Sequence, residues 1–328
     1  MDASEALMLL VAGFAATALL AGLLVALARR RGLLAVPNAR SFHSVATPAI
    51  GGVGFALPIL VYVGFRSQSA PELGGLLAGA AGLALVGLVD DLRETGRGLR
   101  MAAQLLALAL VFWTLQPGWP WWAYAPVALL LLWQVNLYNF MDGIDGLVAV
   151  QTLFFCLAAH ALTGGVPGWE GALLWLVAGA MLGFLVHNWT PARIFMGDTG
   201  SVFLGLLIGV AAVQLIVQYG VPALACPILL TAFWFDATYT LCVRIATRQP
   251  FTEPHRSHLY QKLAARFGTL WTLVGFSALC VLWLLPLAAA AASFADSPAL
   301  GVAFQVLAAL PLAVLAWRFG AGLPDRMA

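Results

Sequence analysis

The sequence predicts an all-α integral membrane protein, a single polytopic domain over 1–328 with about eleven transmembrane helices. Three observations carry this. Hydrophobic residues make up 62% of the 328-residue chain and charged residues 9%, where an ordinary soluble domain carries about 25% charged. Long apolar runs recur from end to end, with a mean hydropathy of +0.94. The basic residues fall almost entirely on one alternating set of polar segments. Disorder, collagen and a disulfide scaffold are excluded. Cys156, Cys226, Cys242 and Cys280 lie inside apolar runs with no C-x-x-C pair, so they read as packed thiols.

The apolar segments fall at about 6–28, 50–65, 73–89, 101–116, 122–137, 147–163, 171–187, 201–218, 222–243, 269–292 and 299–317. Several are shorter than the roughly 20 residues of a perpendicular span, which thinning of the bilayer or burial among neighbours absorbs. Asp2 and Glu5 precede the first run, whereas a signal peptide opens on basic residues, so this stretch reads as a retained helix.

Eleven spans place the termini on opposite sides. One set of polar segments is then 29–49, 90–100, 138–146, 188–200, 244–268 and the tail from 318. It holds 15 of the 16 Lys and Arg residues; only Arg66 falls in the other set. Basic loops stay inside, so the N-terminus is expected outside and the C-terminus in the cytoplasm. No basic cluster interleaved with aromatics is present, so no nucleic-acid partner is expected.

The same segments hold the reactive side chains. Asp90 and Asp91 end the third run; adjacent carboxylates repel unless a proton or cation relieves them. They read either as a cation- or proton-binding pair or as a solvated helix end balanced by Arg93, Arg97 and Arg100. In NLYNFMDGIDGLVAVQ, residues 136–151, Asn136, Asn139, Asp142 and Asp145 recur every three residues. Helical spacing would align them on one face, while Gly143 and Gly146 suggest a tight turn. Such groups at a membrane edge need partners or a ligand.

Asp198 follows Gly197 and precedes Thr199-Gly200-Ser201 at the start of an apolar run. Backbone N–H groups there favour anions and the carboxylate can hold a hard cation, although Asp198 or Ser201 could equally cap the helix. The segment 244–268 carries His255, Arg256 and His258, fit to clamp phosphate oxygens, or else a basic loop attracted to anionic lipid. His43 lies in a segment with Pro48 and paired glycines. His160 reads as a packed mid-span histidine, and Asp236 as an intramembrane acid with Arg244 as its partner.

Taken in order, SFHSVATPAIGG, VDDL, NLYNFMDGIDGL, FMGDTGS and PHRSHLYQ resemble the polyprenyl-phosphate N-acetylhexosamine-1-phosphate transferases, glycosyltransferase family 4. The resemblance covers about residues 40–262 and includes the eleven-span layout. It implies transfer of a sugar-1-phosphate from a UDP-sugar to undecaprenyl phosphate with release of UMP, dependent on Mg²⁺, for which Mn²⁺ can substitute. It further implies that Asp198 and Asn139 bind the metal. Asp90 and Asp91 would deprotonate or position the lipid phosphate, and His255, Arg256 and His258 would cover the nucleotide diphosphate. Asn136, Asn139, Asp142, Asp145 and His43 are the expected substrate-binding residues. His-Arg-Ser-His replaces the consecutive histidines of the peptidoglycan branch, which points to the branch initiating O-antigen-like polysaccharides. Undecaprenyl phosphate, UDP-sugar and membrane lipid are the implied partners, with a homodimer left open. A transporter or flippase is the alternative; it requires polar groups at the bilayer midplane and on both sides.

Overall fold

A computed structural model of the 328-residue chain describes residues 2–34, 46–93, 95–116, 118–250 and 255–324. Helices are the regular elements of the described residues, among which there is no strand. The helices are α1 (Ala3–Arg31), α2 (Gly52–Arg66), α3 (Leu73–Arg93), α4 (Arg97–Leu115), α5 (Trp121–Met141), α6 (Leu147–Thr163) and α7 (Gly168–Asn188). They continue with α8 (Gly197–Tyr219), α9 (Ala225–Ala246), α10 (Leu259–Phe267), α11 (Thr269–Leu279), α12 (Leu285–Ser293) and α13 (Pro298–Phe319). A π-helical turn, Cys280–Leu284, joins α11 to α12.

Each expected apolar segment falls on a helix, and the chain is an all-α integral membrane protein. Eight helical stretches, counting Thr269–Ser293 as one, are long and apolar enough to cross a membrane; α2 and α6 are apolar but shorter. The ends depart from expectation in one direction. α3 runs through Asp90 and Asp91 to Arg93, and α5 runs through Asn139 to Met141. Apolar composition stops at the first charge, but backbone hydrogen bonding continues to the next cap, here a further turn. α10 was not expected within 244–268.

α8 is the centre of the bundle, packed against α2, α3, α5 and α6. It presents buried residues on every side, as a helix surrounded by other helices must. α1 closes on α7 through small residues: a Cβ on Gly179 or Gly183 would lie 2.0 or 2.3 Å from the carbonyl oxygens of Leu10 and Phe14. Close approach of this kind replaces the hydrophobic drive that is missing between helices in lipid. α1, α4 and α13 turn most of their surface outward. His160 sits in the last turn of α6 rather than mid-span, and its Nδ1 accepts the Val166 N–H at 3.0 Å.

Candidate active site

The ends of α3, α5 and α9 and the starts of α4, α8 and α10 meet at one end of the bundle. Asp91 comes first in the construction because it holds α8. Its Oδ1 accepts the Asp198 N–H at 2.7 Å, and its Oδ2 accepts the Thr199 N–H at 3.0 Å and the Thr199 hydroxyl at 2.6 Å. The first N–H groups of a helix have no partner inside it and carry the positive end of its dipole. α8 therefore takes its cap from α3, and neither Asp198 nor Ser201 is the N-cap. One turn earlier, Gly87 permits the approach: a Cβ there would lie 2.6 Å from Thr199 N.

That capping leaves the Asp198 side chain free to face the site. Asn139 Nδ2 donates to Asp198 Oδ1 at 2.7 Å and to Ser201 Oγ at 3.1 Å. Arg100 Nη1 donates to Asp198 Oδ2 and to Asp90 Oδ2, both at 3.0 Å. Asp90 Oδ1 accepts the Thr95 N–H at 2.6 Å and also the Thr95 hydroxyl. Asp90 and Asp91, adjacent in sequence, thus serve different neighbours, as side chains about 100° apart around a helix do. Asn136 exchanges hydrogen bonds with Gln104 of α4, at 2.8 and 3.3 Å.

Arg100, Gln104, Asn136, Asn139 and Asp198 line a cavity of about 580 Å³ with His255 and His258 across from them; Asp90 and Asp91 are not part of its lining. His258 precedes α10, with Nδ1 3.2 Å from Asp236 Oδ1. Asp236, 0% exposed, also accepts the N–H groups of Leu259 and Tyr260 at 2.8 and 2.9 Å. A buried carboxylate on α9 therefore caps α10 as Asp91 caps α8. Arg244 donates to Gln249 Oε1, Ser257 Oγ and Pro250 O, and no hydrogen bond or ion pair among the described residues joins it to Asp236, which corrects the expected pairing. Arg244 fastens the loop that carries the histidines.

His255 stacks on His258 with ring centroids 5.0 Å apart, and its Nδ1 lies 2.9 Å from Ser257 Oγ. Burial first, then the charges of His258 and Arg244, pushes the His255 pKa down to about 4 from its ordinary 6.5. The folded protein thus takes up this proton only near pH 4, whereas the unfolded chain does so near 6.5. The stability contributed is full above pH 6.5 and is lost as pH falls toward 4. The expected result is a melting temperature that declines between pH 6.5 and 5 in the wild type and declines less in His255→Gln.

The expected Asn-Asp row divides. Asn136 and Asn139 reach the cavity. Asp145 Oδ2 instead accepts the Ala192 N–H at 2.9 Å, tying the turn after α5 to the one before α8. Asp142 ends α5, and burial, then the charges of Asp198, Asp91 and Asp145, raise its pKa well above the usual carboxylate range. Neither acid lines the cavity, and neither does Arg256. The turn at Asp142 breaks the helix, so residues every three apart no longer share a face. His43 lies outside the described residues. Arg100 was read as a balancing surface charge; its signal was the spacing of Arg97, Arg100 and Gln104, one face of α4 that lines the cavity.

Residues 73–216 match the family described as Glycosyl transferase family 4, a span that holds the site residues of α3, α4, α5 and α8 but not His43, α9, the histidine loop or α10. A Mycobacterium leprae protein named decaprenyl-phosphate N-acetylglucosaminephosphotransferase is 32% identical, over 74% of this chain and 72% of its own length. A Bacillus subtilis protein named a probable undecaprenyl-phosphate N-acetylglucosaminyl 1-phosphate transferase is 29% identical, over 71% of this chain and 69% of its own. A phospho-N-acetylmuramoyl-pentapeptide-transferase of Heliobacterium modesticaldum is 38% identical, over 50% of this chain and 59% of its own. The chain belongs to glycosyl transferase family 4.

Proposed function

We propose that this protein transfers an N-acetylhexosamine-1-phosphate from a UDP-sugar to undecaprenyl phosphate, releasing UMP and initiating an O-antigen-like lipid-linked polysaccharide. The observation that carries the reading is the convergence of Asp90 and Asp198 on Arg100 beside a cavity bordered by His255 and His258. An oxygen of the lipid phosphate attacks the phosphorus bonded to the sugar, and the bond to the bridging oxygen breaks as UMP leaves. Such a reaction asks the protein mainly for positioning and charge neutralisation.

Mg²⁺, with Mn²⁺ as a substitute, is the proposed cofactor. The carboxylates of Asp198 and Asp90, both within 3.0 Å of Arg100 Nη1, offer oxygen donors, as Mg²⁺ prefers. That suits an ion bound by one or two carboxylates and completed by substrate phosphates. Asp198 would hold it, with Asp90 adjacent. Asn139 offers Asp198 an N–H, so it orients that carboxylate and would reach a metal with its oxygen only after rotation of the amide. When bound, the ion neutralises charge on the phosphates. Arg100 and Asn136 bind and orient from α4 and α5. His258, with Nδ1 engaged by Asp236, keeps Nε2 for a phosphate oxygen, and Arg256 adds positive charge to that loop. Asp91 positions Asp198 through the start of α8.

The test is a panel of UDP-sugars with purified protein and undecaprenyl phosphate, scored for UMP release. Release with one UDP-N-acetylhexosamine supports the reading; none with any member removes it.

The site is proposed to face the cytoplasm, with the N-terminus periplasmic. In a cysteine-free background, Gln68→Cys and Ala295→Cys, both exposed, are expected to label with an impermeant maleimide from the periplasm. Ala265→Cys, on exposed α10 surface beside the site, is expected to stay unlabelled. Labelling of Ala265→Cys from outside would put the site on the wrong leaflet.

A further inference from the structure

The metal reading leaves one arrangement unexplained. All four oxygens of Asp90 and Asp198 already have donors: Thr95 and Arg100 on Asp90, Asn139 and Arg100 on Asp198. Arg100 Nη1 lies 3.0 Å from Oδ2 of both, so a divalent cation bridging the two carboxylates would have to take the position that the guanidinium now holds. Arg100 is the donor best able to leave. The Thr95 N–H is backbone and Asn139 lies on a packed helix, whereas Arg100 is a long side chain, 34% exposed, one turn into α4. It is also the group the carboxylates cannot lose without replacement. Two acids sharing a partly buried site repel one another unless a cation lies between them.

We propose that Arg100 is a built-in competitor of the divalent cation. Its guanidinium bridges Asp90 and Asp198 while the metal is away and yields both carboxylates when the metal arrives. The inference rests on the metal assignment made above and adds a regulation to that site. Two cations cannot share the position between the two Oδ2 atoms, so the metal binds only when Arg100 has left, and its apparent affinity is lowered by the fraction of time the bridge is open. The site is thereby held shaped and charge-balanced between turnovers, at the expense of metal affinity. The released guanidinium already borders the cavity where phosphates would lie.

The experiment measures Mn²⁺ affinity by electron paramagnetic resonance on purified full-length protein in detergent, first alone and then with UMP added to supply phosphate oxygens. Melting temperature in EDTA is recorded alongside. Arg100→Met is expected to bind Mn²⁺ at least about tenfold more tightly than wild type, equivalent to about 1.4 kcal/mol, and to melt lower in EDTA. Arg97→Met removes a charge from the same face of α4 without touching either carboxylate bridge. It is expected to change Mn²⁺ affinity by less than about threefold, the scale of a surface charge. Unchanged or weaker Mn²⁺ binding in Arg100→Met overturns the proposal. So does an equal gain in both variants, which would reduce Arg100 to part of a general field. If Arg100→Met does not fold, Arg100→Lys replaces it; this variant keeps the charge but loses the planar fork. It should bind Mn²⁺ more tightly than wild type by a smaller factor, and unchanged affinity there overturns the proposal equally. A wild type that binds no Mn²⁺, either alone or with UMP supplying phosphate oxygens, removes the metal assignment itself, an outcome distinct from metal binding that ignores Arg100.

Discussion

Asp198→Asn is expected to lower turnover by about 10³-fold or more while the protein stays folded in the membrane. The substitution keeps size and shape and takes away only the charge. The loss falls where the charge is used, between Arg100 at 3.0 Å and the cavity. A single preorganised electrostatic contact to reacting phosphates carries about 10²–10³ in rate, and a carboxylate that also holds a metal carries more. Stability should not suffer in proportion. Asp90, Asp91 and Asp142 crowd the same corner, and removing one of four acids relieves repulsion. The measurement is UMP release beside the melting temperature, at ordinary and at raised Mg²⁺. Near-normal turnover at ordinary Mg²⁺ would end the assignment of Asp198 to the metal.

The fold was legible because lipid imposes a coarse rule: each crossing must be apolar, and each basic loop stays on one side. That rule places eleven segments, but it is silent on where helices stop. Asp90 and Asp91 read as the end of a helix, and the last turn of α3 indeed carries them, but it runs on to Arg93, past the end of the apolar run at 89. α10 escaped for a related reason. Its nine residues are amphipathic rather than apolar, and what fixes its start is Asp236, more than twenty residues earlier in the chain.

The site was legible as a list of costly residues rather than as an arrangement. Acids and amides at the ends of apolar helices must have a use, so Asp198, Asn139 and the Asp pair stood out. Spacing could not say that Asp145 spends its carboxylate on the Ala192 N–H. Nor could it say that Arg100, ten residues past Asp90, turns back to meet both Asp90 and Asp198. Those facts depend on which helix ends pack together, α3 on α4 and the turn after α5 on the one before α8, which a pattern of apolar and polar residues does not encode.

The Asp pair is expected to divide by mechanism as well as by magnitude. Asp91 gives both oxygens to three donors of α8. In Asp91→Asn one oxygen becomes an NH₂ facing an N–H, and the charge that meets the helix dipole is gone. Leaving such a buried donor unmatched costs about 1–3 kcal/mol, so the melting temperature should fall. Asp198 begins that same helix, and a displacement of about 1 Å at a reacting centre can cost about 10²-fold in rate. The loss should appear in kcat, because the cavity lining that binds substrate is otherwise intact. Asp90→Asn is different. Its oxygen can still accept from Thr95, so the fold should hold, and what is lost is one side of the Arg100 bridge. Its rate should drop less than that of Asp91→Asn, with an unchanged melting temperature. Measured side by side, equal mild rate losses with no thermal shift in either variant would make the pair an ordinary solvated helix end.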